Sequence, residues 1–187
     1  ARVLPTVPDA VYLVVGATHP EVRRHEGERY RHSLESLADE LGVRGQLVFR
    51  NAFVTHDELI GYLQAADILL TPYRNEKQIT SGVLAYAMGT RAAPASTPYW
   101  HAQELLGDGR GVLFPFGDAE ALATSLTELL TQPAALARMQ RAAYDYSRSM
   151  VWPRVGAAYL GLFAEHSGDH GPATRRTDQE RALPELR

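Results

Sequence analysis

The chain has 187 residues, 45% of them apolar and 22% charged, with a formal net charge of -3. These values fit one globular domain with a sizeable core and exclude the strongly basic balance expected of a nucleic-acid or anionic-membrane binder. Cysteine is absent, which excludes a disulfide scaffold and thiolate metal sites and accords with a cytoplasmic setting; no apolar run reaches the length of a membrane span, and no signal peptide is visible.

In chain order, the opening "ARVLPTVPDA" carries no initiating methionine and runs almost directly into "VYLVVG" (11–16), an apolar, β-branched run that reads as a buried strand. A start so close to a strand reads as a piece cut from a longer protein. "HSLESLADELG" sets Leu34, Leu37 and Leu41 on one helical face, with Gly42 as the stop. "QLVFRN" (46–51) is the next strand, and Thr55 with Glu58 three residues on is a capping box that opens a helix carrying Leu59, Leu63 and Ala66. "DILLTPY" (67–73) is a strand, "TSGVLAYAMG" a helix, "RAAPAS" a short strand, "HAQELLG" a helix and "GVLFPF" a strand. Asp118 caps a helix with the apolar stripe Leu122, Leu126 and Leu129. Beyond Pro133 the pattern is helical with a break near Pro153, and residues 166–187 read as a polar linker or disordered tail after a domain of residues 1–165.

Strands that are solid apolar runs, alternating with helices, predict an α/β domain: a doubly wound, Rossmann-like parallel sheet with helices on both faces. Five strands are visible, and a sixth is expected before Ala1. Ligands of such sheets bind beyond the carboxyl ends of the strands. That singles out the loops at 16–21, 50–56, 73–82, 96–104 and 115–118. The third is the richest in small polar residues. It leads into a helix whose first turn holds Thr80, Ser81 and Gly82, where unpaired backbone N–H groups and partial positive charge suit a phosphate or diphosphate. The alternative is that Thr80 or Ser81 only caps the helix. The seven histidines are scattered, and neither a metal-ligand spacing, a GxGxxG fingerprint nor a P-loop occurs. Tyr99 and Trp100 could stack on a base or sugar, or could fold onto the domain.

The run "LQAADILLTPYRNEKQITSGVLAYAMGTRAAPASTPYWHAQELLGDGRGVLFPFGDAEALATSLTELL" resembles the donor-binding, C-terminal domain of retaining GT-B glycosyltransferases, glycosyl transferases group 1, and the resemblance extends over residues 11–163. It is carried by "AAD" entering a strand, "TP" leaving it, a polar turn, the "AYAMG" helix, a Thr-containing loop with an acidic residue and "GRGVLFPFGD". The wording from Gly16 to His19 and "ITSG…LAYA…STPYWHA" points to a bacterial subgroup of long chains.

The resemblance implies transfer of a hexose from a UDP- or GDP-sugar to an acceptor hydroxyl, on a glycan or a small molecule, with retention and without cofactor or bound metal. It also implies a partner N-terminal Rossmann domain that brings the acceptor. The isolated C-terminal part would bind donor weakly and turn nothing over. Gln78, Thr80, Ser81, Gly82 and Val83 would hold sugar and distal phosphate, with Glu76 and Gln78 as candidate sugar contacts. Thr97 and Glu104 would match the family's Thr and acidic residue. Gly16 would lie at the donor, and Arg50 and Asn51 where base contacts arise. The helix around Trp152 would pack toward the missing domain, leaving an apolar patch. Two departures stand out. Relatives carry two glutamates eight positions apart where this chain has Gln78 and Tyr86, so the ribose carboxylate is replaced by a phenol, and the family's Arg/Lys pair has no match. The alternatives are a degenerate, non-catalytic binding domain, or a GT-B epimerase or hydrolase.

Overall fold

The computed structural model describes residues 1–167. Five short strands, β1 (Tyr12–Val15), β2 (Leu47–Arg50), β3 (Ile68–Thr71), β4 (Ala93–Ser96) and β5 (Val112–Leu113), alternate with helices. The helices are α1 (Pro20–Glu26), α2 (Arg29–Glu40), α3 (His56–Ala65), α4 (Gly82–Thr90), α5 (Trp100–Leu106), α6 (Ala119–Thr131), α7 (Pro133–Ser147) and α8 (Trp152–Ser167). All strand pairs are parallel, and helices cover both sides, as the solid apolar strands predicted.

The strands form two sheets, β1-β2 and β3-β4-β5, where one continuous sheet was expected. In the doubly wound order 3-2-1-4-5-6, β1 to β5 correspond to strands 2 to 6. The break between β1 and β3 then falls where the first strand of that order would lie. Pro94 sits inside β4 without an N–H to donate, and the ladder to β5 begins only after it, at Ala95.

Local chemistry sets the helix starts. Thr55 and Glu58 form the expected capping box of α3, and Asp118 accepts from the Glu120 and Ala121 N–H groups at the start of α6. Pro20 and Pro133 stand in the first turns of α1 and α7. α1 replaces what reads in sequence as a loop; the His19 side chain accepts from the Glu21 N–H to start it. Near Pro153 the helix breaks as predicted, but proline is in the first turn of α8 rather than ending the helix before it.

α4 is the central helix, packed on α3, α7, β3 and β4. Leu84, Ala87 and Met88 are buried outright, and Leu63, Ala87 and Ala92 form a cluster with Leu59, Leu69 and Val83 against it. Ala87, Ala92, Ala93, Ala95 and Ala143 are all fully buried, and such small side chains let helix and strand backbones approach closely. This compact unit ends at Arg148 and a second begins at Ser149. In the second, Trp152, Tyr159, Leu160, Leu162 and Phe163 of α8 are exposed, with the Tyr159 and Phe163 rings 6.3 Å apart. α8 runs past the sequence boundary at 165, and the remainder of the expected tail lies outside the described residues.

Candidate functional site

The loops that follow β1 to β4 are linked to one another and to α4 by hydrogen bonds and a ring contact. The Gly16 N–H donates to the Arg50 carbonyl, joining the loops after β1 and β2. Gly16 has φ 136°, a conformation that an L side chain rarely adopts, so glycine is required by the turn itself. His56, at the start of α3, packs edge-on against Tyr86 of α4 with centroids 5.2 Å apart. The Ser81 N–H donates to His101 Nδ1 at 3.4 Å, tying α4 to α5. Tyr73 donates its hydroxyl to Ser81 Oγ at 3.3 Å, and the Thr97 hydroxyl donates to the Tyr73 carbonyl at 2.9 Å.

These bonds sort the residues picked out in sequence. Ser81 is 4% exposed; it is the N-cap of α4, and its Oγ accepts from the Leu84 N–H. Thr97 is 2% exposed, and its hydroxyl is engaged by the Tyr73 carbonyl. Both therefore hold the loops in place. The helix starts at Gly82, so Thr80 lies before the cap, exposed, and its carbonyl accepts from Gln78 Nε2 at 2.6 Å. Val83 turns its side chain into the core. Among the described residues, the N–H groups of Gly82 and Val83 have no partner, and a Cβ added at Gly82 would meet nothing within 4 Å. The two amides are thus open at the positive end of a nine-residue helix.

In the loop that leads from β3 into α4, Arg74, Glu76 and Lys77 are all exposed and without an ion pair among the described residues. Tyr86 is 43% exposed. Arg50, Asn51 and Glu104 are exposed at their loops, with Glu104 on α5. The Thr55 N–H, and next its hydroxyl, hold the Glu58 carboxyl below the usual carboxylate range, and Arg50 adds a smaller pull. Tyr99 is buried edge-on to Tyr73, 5.3 Å between centroids, while its neighbour Trp100 is 71% exposed. Burial pushes the Tyr99 phenol up; Ser81 and Ser96 oppose the shift, but the hydroxyl makes no aligned hydrogen bond. No group of three or more His, Asp or Glu among the described residues is arranged to hold a metal ion.

Tyr73, His56 and His101 did not emerge from the sequence as site residues. Their contacts cross from one loop to another, and only the position of each just after a strand's carboxyl end hinted at them.

The family model for glycosyl transferases group 1 matches residues 1–132. The D-inositol 3-phosphate glycosyltransferase of Streptomyces bingchenggensis is 30% identical over 71% of this chain and 29% of the relative, and that of Streptomyces avermitilis is 32% identical over 70% and 28%. The chain therefore spans less than a third of these relatives. Among solved structures, the C-terminal domain of the glycosyl transferase group 1 protein LpcC from Francisella tularensis superposes with a TM-score of 0.66 at 20% identity, over 76% of this chain and 70% of that one. HepE of Anabaena, in complex with UDP, gives 0.71 at 16% identity over 89% and 44%. The same Anabaena protein has also been solved with UDP-glucose.

Proposed function

The chain belongs to the glycosyl transferases group 1 family, and on that premise we propose that it is the donor-binding part of an enzyme that moves a hexose from a nucleoside diphosphate to an acceptor hydroxyl with retention of configuration. The observation that carries this reading is the pair of open N–H groups at Gly82 and Val83. Two open amides at a helix start suit a diphosphate, and in the transition state they stabilise the negative charge that builds on the leaving group. Arg74 and Lys77 add positive charge beside them without a bound metal. The nucleoside lies toward Gly16, Arg50 and Asn51, with Tyr86 offering its hydroxyl to the ribose. The acceptor is a glycan or small molecule brought by an N-terminal domain, so residues 1–187 alone bind donor and do not turn it over.

Calorimetric titration of the chain with UDP, GDP and their sugars tests this. We expect saturable binding of one nucleotide series that Gly82→Asp weakens by at least about tenfold, since the new carboxylate faces the diphosphate. The open space around Gly82 lets that side chain in without disturbing the core. Equal affinity in the variant would refute the placement. Absence of binding to any nucleotide would favour the second reading, a non-catalytic domain, which draws support from the internal engagement of Ser81 and Thr97.

A further inference from the structure

Two arginines stack on one ring at the far end of α4 from the open amides. The guanidinium carbons of Arg91 and Arg148 stand 5.2 Å and 4.3 Å from the centroid of Tyr144. Arg91 is the C-cap of α4, and Arg148 is the C-cap of α7, one turn beyond Tyr144. Arg148 also lies over the last turn of α4, where a Cβ built at Gly89 would meet its Nη2 at 3.8 Å. Both residues are exposed, and among the described residues neither forms an ion pair, even with neighbouring Asp145. Arg110 marks the contrast: it stacks on Tyr146, and Asp108 stands 2.8 Å away as its counter-ion. We propose that Arg91, Tyr144 and Arg148 form a binding site for a phosphate group, carried by a small phosphomonoester or by a lipid headgroup. This site is separate from the donor amides and does not depend on them.

Charge, orientation and backbone point the same way. Two cations held about one ring repel each other. The C-termini of α4 and α7 carry about half a negative charge each, so about one of the two positive charges stays uncompensated. Stacking on Tyr144 occupies the guanidinium faces and leaves the N–H edges, which match the paired oxygens of a phosphate. Arg148 commits Nη2 to Ser147 Oγ at 3.2 Å, and the Arg91 guanidinium makes no hydrogen bond among the described residues. A phosphate group presents three oxygens and can accept from both forks at once, whereas a carboxylate presents two. Arg91 has φ 70°, the left-handed conformation that a helix end usually gives to glycine. An arginine held there, at a conformational cost, supplies a cation that glycine does not.

Gly82→Asp closes the donor amides, which lie about 13 Å from this site along the nine-residue helix. In that variant, calorimetric titration with glucose 6-phosphate in low-salt buffer reads the arginine site alone. We expect saturable binding that the additional change Arg91→Gly weakens by about tenfold or more. Glycine suits φ 70°, so the double variant should match or exceed the Tm of Gly82→Asp, which separates lost binding from lost folding. Tyr144→Phe keeps the ring and should keep the affinity. Acetate should bind at least about fivefold more weakly than glucose 6-phosphate. Cosedimentation with phosphatidylcholine vesicles containing phosphatidic acid, lost on Arg91→Gly, assigns the phosphate to a lipid headgroup; binding of the soluble ester alone assigns it to a small phosphomonoester. No saturable binding of either the ester or the vesicles, equal affinity after Arg91→Gly, or equal affinity for acetate overturns the site. UDP binding is read separately at the open amides, so its presence or loss bears on the donor reading only.

Discussion

Tyr86 of α4 is 43% exposed, and its ring packs edge-on against His56. A phenol makes one neutral hydrogen bond to a ribose, worth about 1 kcal/mol. Tyr86→Phe should therefore weaken UDP by about fivefold and leave inorganic pyrophosphate unaffected, as read by calorimetry. Equal losses for the two ligands would mean that Tyr86 acts on the fold of α4 and does not touch the ribose. Tyr99 sets a different test. Its buried hydroxyl lacks an aligned partner, and an unsatisfied buried group costs about 1–3 kcal/mol. Tyr99→Phe should match or exceed the wild-type stability in urea unfolding. A loss of more than about 1 kcal/mol would reveal a bond that the hydroxyl does make. The Tyr86 contact was legible in the sequence through the resemblance; the Tyr99 expectation was not, because in sequence Tyr99 and Trp100 are equivalent aromatics. Only the burial of one and the exposure of the other separate them.

Among the elements, the capping box of α3 was readable from Thr55 and Glu58 because its partners lie three residues apart. It also carries a pH dependence. The folded-state value of Glu58 is depressed, so the box contributes fully above the unfolded carboxyl value, about 4.3, and its contribution is lost as pH falls through the lower folded value. Glu58→Gln removes that titration. The difference in Tm between wild type and variant should be largest near neutrality and narrow below about pH 4; parallel profiles would contradict the assignment. The start of β5 was less readable. A Cβ at Gly111 would stand 2.7 Å from the Pro94 carbonyl oxygen and 2.8 Å from Leu106 Cδ2. This glycine permits the close approach of β4, β5 and α5, and Gly111→Ala should destabilise by about 1–3 kcal/mol in denaturant titration. A neutral result would mean that the β5 edge yields easily. Nothing local in "GRGVLF" marks that contact, since Leu106 and Pro94 reach it from elsewhere in the chain.

For the molecule as a whole, the parallel α/β architecture followed from apolar runs such as "VYLVVG" and "DILLTPY", because burial on both faces erases the alternation of a half-exposed strand. The break between the β1-β2 and β3-β4-β5 sheets did not follow from the strands' own residues; it falls where the first strand of the doubly wound order would lie. The site shows the same division. The polar turn leading into α4 was visible as a cluster of small residues, and Gly82 was correctly placed in the first turn of the helix. The capping role of Ser81 was one of the two readings of that turn, whereas its ties to Tyr73 and His101, 8 and 20 residues away in sequence, and the inward-facing Thr97 were hidden.

The central claim is that a diphosphate sits on the open amides of α4. Amide-resolved NMR of the nitrogen-15-labelled chain, titrated with UDP and separately with uridine, tests it directly. The account predicts that the Gly82 and Val83 N–H resonances move most with UDP and stay unmoved with uridine. Saturable UDP binding that leaves both resonances in place and shifts amides elsewhere would contradict it.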